Sequence, residues 1–179
     1  MANLLFTYIR ERDHHVMRKC HRWPAPRWVR IYIMLATRGG DGWLWVALAV
    51  VLLLFGGQQG HGTVAAATGA TAVGTGLFVV MKKLAGRQRP CMLEPHCWAA
   101  LLPPDRFSFP SGHSLNAFAI SVPVVLAYPG LTPVILCCAV SIAISRVVLG
   151  MHFLSDVVVG AALGVLLGYA TYAMFLAAP

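Results

Sequence analysis

What most restricts this sequence is where it withholds charge. No Asp, Glu, Lys or Arg occurs from Gly42 to Met81 or from Phe107 to Ser145, and Asp156 is the one charged residue from Val147 onward. A bilayer solvates such runs, and crossing its hydrocarbon takes a helix of about 20 mostly apolar residues. The chain is 58% apolar and 11% charged, against roughly 45–50% and 25% for an average soluble domain. An ordinary soluble domain and a disordered chain are both excluded.

Five stretches read as spans: Trp43–Phe55 with its flanks, Gly62–Met81, His113–Tyr128, Leu131–Leu149 and His152–Leu176. The expected fold is therefore all-α, a polytopic transmembrane bundle of about five spans. Residues 42–179 form its membrane domain. Residues 1–41 carry eight Arg or Lys, and Ile31–Thr37 is too short to cross, so this segment is expected to lie at the interface as amphipathic helices. Met1–Ile9 is followed by Arg10, Glu11, Arg12 and Asp13 and not by a cleavage site, so it does not read as a signal peptide. Gly160, Gly164 and Gly168 recur every fourth residue, as do Gly62, Ala66, Ala70 and Gly74. Such stripes let helices approach closely. With five crossings, residues 1–41 and the junctions 82–112 and 145–156 share one face, so all fourteen basic residues gather there.

Three clusters of reactive residues meet at that face. Lys82 lies seven residues before Arg89-Pro90, and Pro90 biases Arg89 toward extended backbone, from which it can turn back toward Lys82. A lone Lys-Lys at a helix end is ordinarily an anchor to the headgroups. Pro110-Ser111-Gly112-His113 precedes an apolar run, where turn amides and a helix N-terminus suit an anion. Alone, that string also describes a simple capped helix start. Ser145-Arg146 is followed by His152 and Asp156, which on a helix would share one face and hydrogen-bond. A carboxylate on one imidazole nitrogen leaves the other free to attack. An acid among spans is costly unless paired, which marks Asp156 as functional or as half of a buried structural pair. The cations suit phosphate oxygens, one histidine suits attack on phosphorus, and the other suits protonation of the leaving oxygen. No carboxylate cluster suited to Mg²⁺ lies in these motifs, so no metal or other cofactor is expected.

Taken together, Lys82…Arg89-Pro90, Pro110-Ser111-Gly112-His113 and Ser145-Arg146…His152…Asp156 resemble the three-part signature of the type 2 phosphatidic acid phosphatase superfamily. All eleven specified positions match, within a resemblance covering roughly residues 60–170. It implies a phosphatidic acid phosphatase/haloperoxidase-like core and hydrolysis through a phosphohistidine. The roles it implies are His152 as nucleophile, Asp156 orienting it and His113 as general acid. Lys82, Arg89, Ser111, Gly112 and Arg146 would bind the phosphate. Haloperoxidases of this fold are soluble, which the span count opposes. Members commonly have six spans, and here residues 1–41 stand in place of the first.

The expected partners are the bilayer and a lipid phosphate, with no nucleic acid. Undecaprenyl pyrophosphate, phosphatidylglycerol phosphate, phosphatidate and lipid A phosphates are the implied substrates, and the loop Cys91–Arg106 is expected either to set selectivity or merely to shield the site. Lipid-to-lipid phosphotransfer and non-catalytic lipid binding are the alternatives. The expected location is the inner membrane. Positive-inside bias in residues 1–41 places the site at the cytoplasmic face. The periplasmic face is the alternative, with which a Cys91–Cys97 bridge would agree.

Overall fold

The computed structural model describes residues 2–99 and 105–175. The middle of the Cys91–Arg106 loop and the end of the expected fifth span lie outside them. Among the described residues every regular element is helical: α1 (Ala2–Arg22), α2 (Arg27–Gly39), α3 (Trp43–Phe55), α4 (Gly57–Ala85), α5 (Pro90–Leu93), α6 (Gly112–Ala127), α7 (Thr132–Val148) and α8 (Leu154–Phe175). A 3₁₀ turn, Pro129–Leu131, leads into α7.

The five apolar stretches all form helices, but of unequal reach. α4, α8 and α7 with its 3₁₀ turn are long and apolar enough to cross a membrane alone. α2 and α3 qualify only as a pair, bent by 58° at the break between them. α6 is a shorter apolar helix of 16 residues. The bend falls where Gly42 takes φ 116°, a conformation glycine adopts without Cβ strain. The α3–α4 and α6–α7 junctions meet, with Gln59 Nε2 donating to the Ala127 carbonyl at 2.6 Å. That contact sets one end of the bundle, away from the basic segments.

α6, α4 and α8 form the centre. Gly160, Gly164 and Gly168 of α8 are buried against α6, where a Cβ would stand 2.5, 2.3 and 2.8 Å from the carbonyl oxygens of Ser111, Leu115 and Ala119. On α4 the buried stripe runs Thr63, Ala66, Ala67, Ala70 and Gly74, with Gly62 beside it. The expected small-residue packing is thus present on both helices. α1 is amphipathic in an unexpected sense: Asp13, Met17 and His21, four residues apart, are buried at 3%, 3% and 2% exposure, while Arg10, Arg12 and Arg18 face outward. Its Val16 and Cys20 pack on Ala143, Val147 and Val157. All five cysteines are free thiols, Cys91 and Cys97 included.

Candidate active site

The chain turns back at the end of α4 because Gly86 closes the helix at φ 57°, its N–H bonding to the Lys82 carbonyl. Arg89 follows in extended backbone (φ −78°, ψ 149°), as Pro90 dictates. Its side chain is 1% exposed. Nη1 donates to the Met151 carbonyl at 2.9 Å and lies 3.2 Å from His152 Nε2. Nη2 meets Asp105 Oδ1 at 3.0 Å, and Lys82 Nζ meets Asp105 Oδ2 at 2.6 Å. Lys82 and Arg89 therefore clasp one carboxylate. Burial works against ionisation of Asp105, but the Lys82 hydrogen bond and the Arg89 charge outweigh it and hold the carboxyl below its usual range.

His152 sits ahead of α8, not on it, because the chain reverses at Gly150 (φ 67°) and the helix starts at Leu154. The expected helical His–Asp pairing therefore takes another form. Asp156 Oδ2 is 3.8 Å from His152 Nδ1, too long for a hydrogen bond. Nδ1–H donates instead to the Ser108 carbonyl at 2.6 Å, which leaves the Nε2 lone pair facing Arg89. Asp156, fully buried, accepts from Arg87 Nη1 at 2.7 Å and from the Phe153 amide at 2.8 Å. Its backbone carbonyl accepts from the Ser111 amide at 3.0 Å.

That last bond ties the second motif to the third. The Ser111 amide is thereby occupied, and its hydroxyl caps α6 by accepting from Ser114. The first-turn amides of Gly112 and His113 have no intrahelical acceptor, and the Ser111 hydroxyl, which only accepts from Ser114, keeps its own proton to donate. His113 Nε2–H donates to Asp41 Oδ1 at 3.0 Å. Asp41 therefore holds Nε2, and Nδ1 is the ring nitrogen that it does not hold. Arg146 is 5% exposed, its Nη1 donates to Thr37 Oγ1, and its Nε has no hydrogen-bond partner among the described residues. A buried orphan donor beside Arg89 and His113 fits an anionic oxygen.

Burial, reinforced by the charges of Arg146 and Arg89 and only partly opposed by Asp156, lowers the His152 imidazole to about 4. Between there and the ordinary 6.5, the unfolded chain binds a proton that the folded chain refuses. Stability is thus fully present above that window and falls as the solution is acidified through it. We expect the melting temperature to drop from pH 6.5 toward pH 4, and to drop less in His152→Gln, as read by thermal unfolding in detergent.

The structure brings Lys82, Arg89, Ser111, Gly112, His113, Arg146, His152 and Asp156 to one end of the bundle. Reading of the motifs missed Arg87, Asp13, Asp41, Thr37 and the Ser108 carbonyl. Arg87 had a signal of sorts, as a cation set apart from the Lys82-Lys83 pair at the helix end and two residues before Arg89.

A helical membrane bundle whose motif residues converge on clustered cations defines a class. The PAP2 superfamily model matches residues 63–178, and the chain belongs to that superfamily. It is 30% identical over 161 residues to a lipid A 1-phosphatase of Rhizobium johnstonii, covering 79% of this chain and 65% of that one. It is 35% identical over 143 residues to a decaprenylphosphoryl-5-phosphoribose phosphatase of Mycobacterium tuberculosis, covering 75% and 77%. The chain thus spans just under two thirds of the lipid A 1-phosphatase. Among solved structures, the PAP2-type phosphatidylglycerolphosphate phosphatase of Bacillus subtilis superposes with TM-score 0.71 at 25% identity, over 93% of this chain and 86% of that one. Aquifex aeolicus LpxE shares the fold, with TM-score 0.72 at 24% identity over 88% and 92%.

Proposed function

We propose that this protein is an integral membrane phosphatase that removes phosphate from a lipid monoester or pyrophosphate through a phosphohistidine. The observation that carries this reading is the His152 ring: Nδ1 is fixed as donor by the Ser108 carbonyl, and Nε2 lies 3.2 Å from Arg89. In the first step the Nε2 lone pair forms the N–P bond while the bond from phosphorus to the lipid oxygen breaks. That oxygen takes its proton from His113. In the second step water attacks phosphorus and gives a proton back to His113, and the N–P electrons return to Nε2. Lys82, Arg89 and Arg146, with the Gly112 amide, neutralise the phosphoryl oxygens, which is electrostatic stabilisation without a metal. Ser111 holds the turn in place, and Asp156 faces the charge that develops on the imidazole.

A cleft of about 490 Å³ between α3, α4 and α6 supports a lipid substrate. Leu52, Val64, Ala67, Ile120 and Val124 line it, it includes none of the phosphate-site residues, and its chemistry is that of a hydrocarbon tail. The relatives act, by name, on lipid A, decaprenylphosphoryl-5-phosphoribose and phosphatidylglycerophosphate. The test is phosphate release by purified protein, with and without EDTA, from undecaprenyl pyrophosphate, phosphatidylglycerol phosphate, phosphatidate and lipid A. Release that survives EDTA and disappears in His152→Gln supports the reading. No release from any of them overturns it.

The same reading places the site at the cytoplasmic face of an inner membrane. The basic residues of α1 and α2 lie at the site end of the bundle, and such residues are retained inside. Cys97 is exposed at that end. An impermeant thiol reagent should leave it unlabelled in intact cells and label it after lysis, and labelling before lysis assigns the site to the periplasm.

A further inference from the structure

α1 precedes residues 63–178, which the family model matches, yet it delivers a carboxylate to the back of the site. Asp13, 3% exposed, accepts from the Ser155 amide at 3.0 Å, from the Ser155 hydroxyl, and from Arg87 Nη2 at 2.7 Å. The other arm of Arg87, Nη1, donates to Asp156 Oδ1 and to Ser155 Oγ, both at 2.7 Å. Phe153 covers the guanidinium, its ring 4.0 Å from Cζ. Two buried carboxylates thus share one cation immediately behind His152. A pair would close this cluster electrically, but a third charge has been added from 142 residues away in sequence.

We infer that Asp13 is a positioning residue for catalysis, acting through Arg87 to keep a net single negative charge behind the His152 ring. The inference rests on the proposed phosphohistidine. In that intermediate Nε2 is bonded to phosphorus while Nδ1 keeps its proton, so the ring carries a positive charge. On the phosphate side the charge of Arg146 opposes it, and so does that of Arg89, which is itself paired with Asp105. Behind the ring stands Asp156, 3.8 Å from Nδ1. If Arg87 paired with Asp156 alone, its charge would cancel the one anion available to the ring. Asp13 takes up half of Arg87 and leaves Asp156 able to stabilise the imidazolium. In a buried setting such a difference is weakly screened. The bidentate hold also fixes the guanidinium plane, and with it the Asp156 rotamer.

The test is a charge cycle on the full-length protein in detergent, using whichever lipid phosphate the wild type turns over. Asp13→Asn keeps the shape and the hydrogen bond from the Ser155 amide but removes the charge. It is expected to lower kcat at least tenfold with KM within twofold, and Asp13→Glu to recover part of the loss. The deciding variant is Asp13→Asn combined with Arg87→Gln, which returns the cluster to a single negative charge. A kcat above that of Asp13→Asn alone supports the proposal. A mere structural staple predicts that the double variant is no better, and that result overturns it, as does wild-type kcat in Asp13→Asn or failure of Asp13→Asn to give monodisperse protein. Absence of phosphate release by the wild type is a different failure, that of the phosphatase reading itself.

Discussion

His152→Gln is expected to retain the fold and lose at least 10⁴-fold in phosphate release, a transition-state loss of about 5.5 kcal/mol. The expectation follows from what the substitution leaves intact. A glutamine amide can take over donation to the Ser108 carbonyl, which His152 Nδ1 makes at 2.6 Å. Lys82, Arg89 and Arg146 stay where they are, so substrate binding and hence KM should move little. What disappears is the lone pair that would bond to phosphorus, and removing a covalent nucleophile elsewhere costs on the order of 10⁶ in kcat. The check is steady-state release with the wild type's best lipid, alongside acid-labile labelling of the protein by radioactive phosphate. A variant within tenfold of wild type, or labelling that persists in it, would show that phosphorus is attacked by another group.

The largest effect on stability should come from Gly164→Val. Its Cβ would stand 2.3 Å from the Leu115 carbonyl oxygen and 2.9 Å from the Ala119 amide nitrogen. Both are helix backbone, so neither can swing aside, and α8 has to move away from α6 as a unit. Overpacking typically costs about 1–3 kcal/mol even when side chains give way. Here at least about 3 kcal/mol is expected, out of a total stability of roughly 5–15 kcal/mol. The variant should fail to give monodisperse protein, or melt far below wild type. Gly76→Ala supplies the contrast, since a Cβ there meets nothing within 4 Å. It should be neutral or slightly stabilising, because alanine is the better helix former by about 1 kcal/mol. Equal melting of the two variants would mean that α6 and α8 are not in the contact described.

Much of this site was legible because its three motifs are local. Pro90 sets the backbone of Arg89, and the four-residue spacing of Gly160, Gly164 and Gly168 marks a face for close helix approach, which the structure gives to α6. The His152–Asp156 geometry was not legible, because four-residue spacing brings side chains together only on a helix. Gly150 reverses the chain just ahead of His152, and that leaves the histidine outside α8. The acceptor that fixes the histidine is a backbone carbonyl, Ser108, and no residue type announces a carbonyl. Asp13 was hidden by distance along the chain. Its one trace is the series Asp13, Met17, His21, an acid and an imidazole on the stripe that an interfacial helix would keep apolar. The unequal spans have a similar origin: apolar runs show which segments avoid water, while the 58° bend between α2 and α3 depends on how Gly42 is used.

The clasp of Lys82 and Arg89 on Asp105 changes the meaning of the chain's basic character. Four cations stand in the contacts around the site, Lys82, Arg87, Arg89 and Arg146, and four carboxylates stand with them, Asp13, Asp41, Asp105 and Asp156. This contact set is electroneutral. The other ten basic residues and two acids carry the whole surplus of +8, most of it on α1 and α2. That surplus is free to hold the chain to anionic headgroups, at about 1 kcal/mol per residue close to the surface. In the proposed reaction a phosphate would meet Lys82 and Arg89 already paired with Asp105, and would have to displace that carboxylate to bind them.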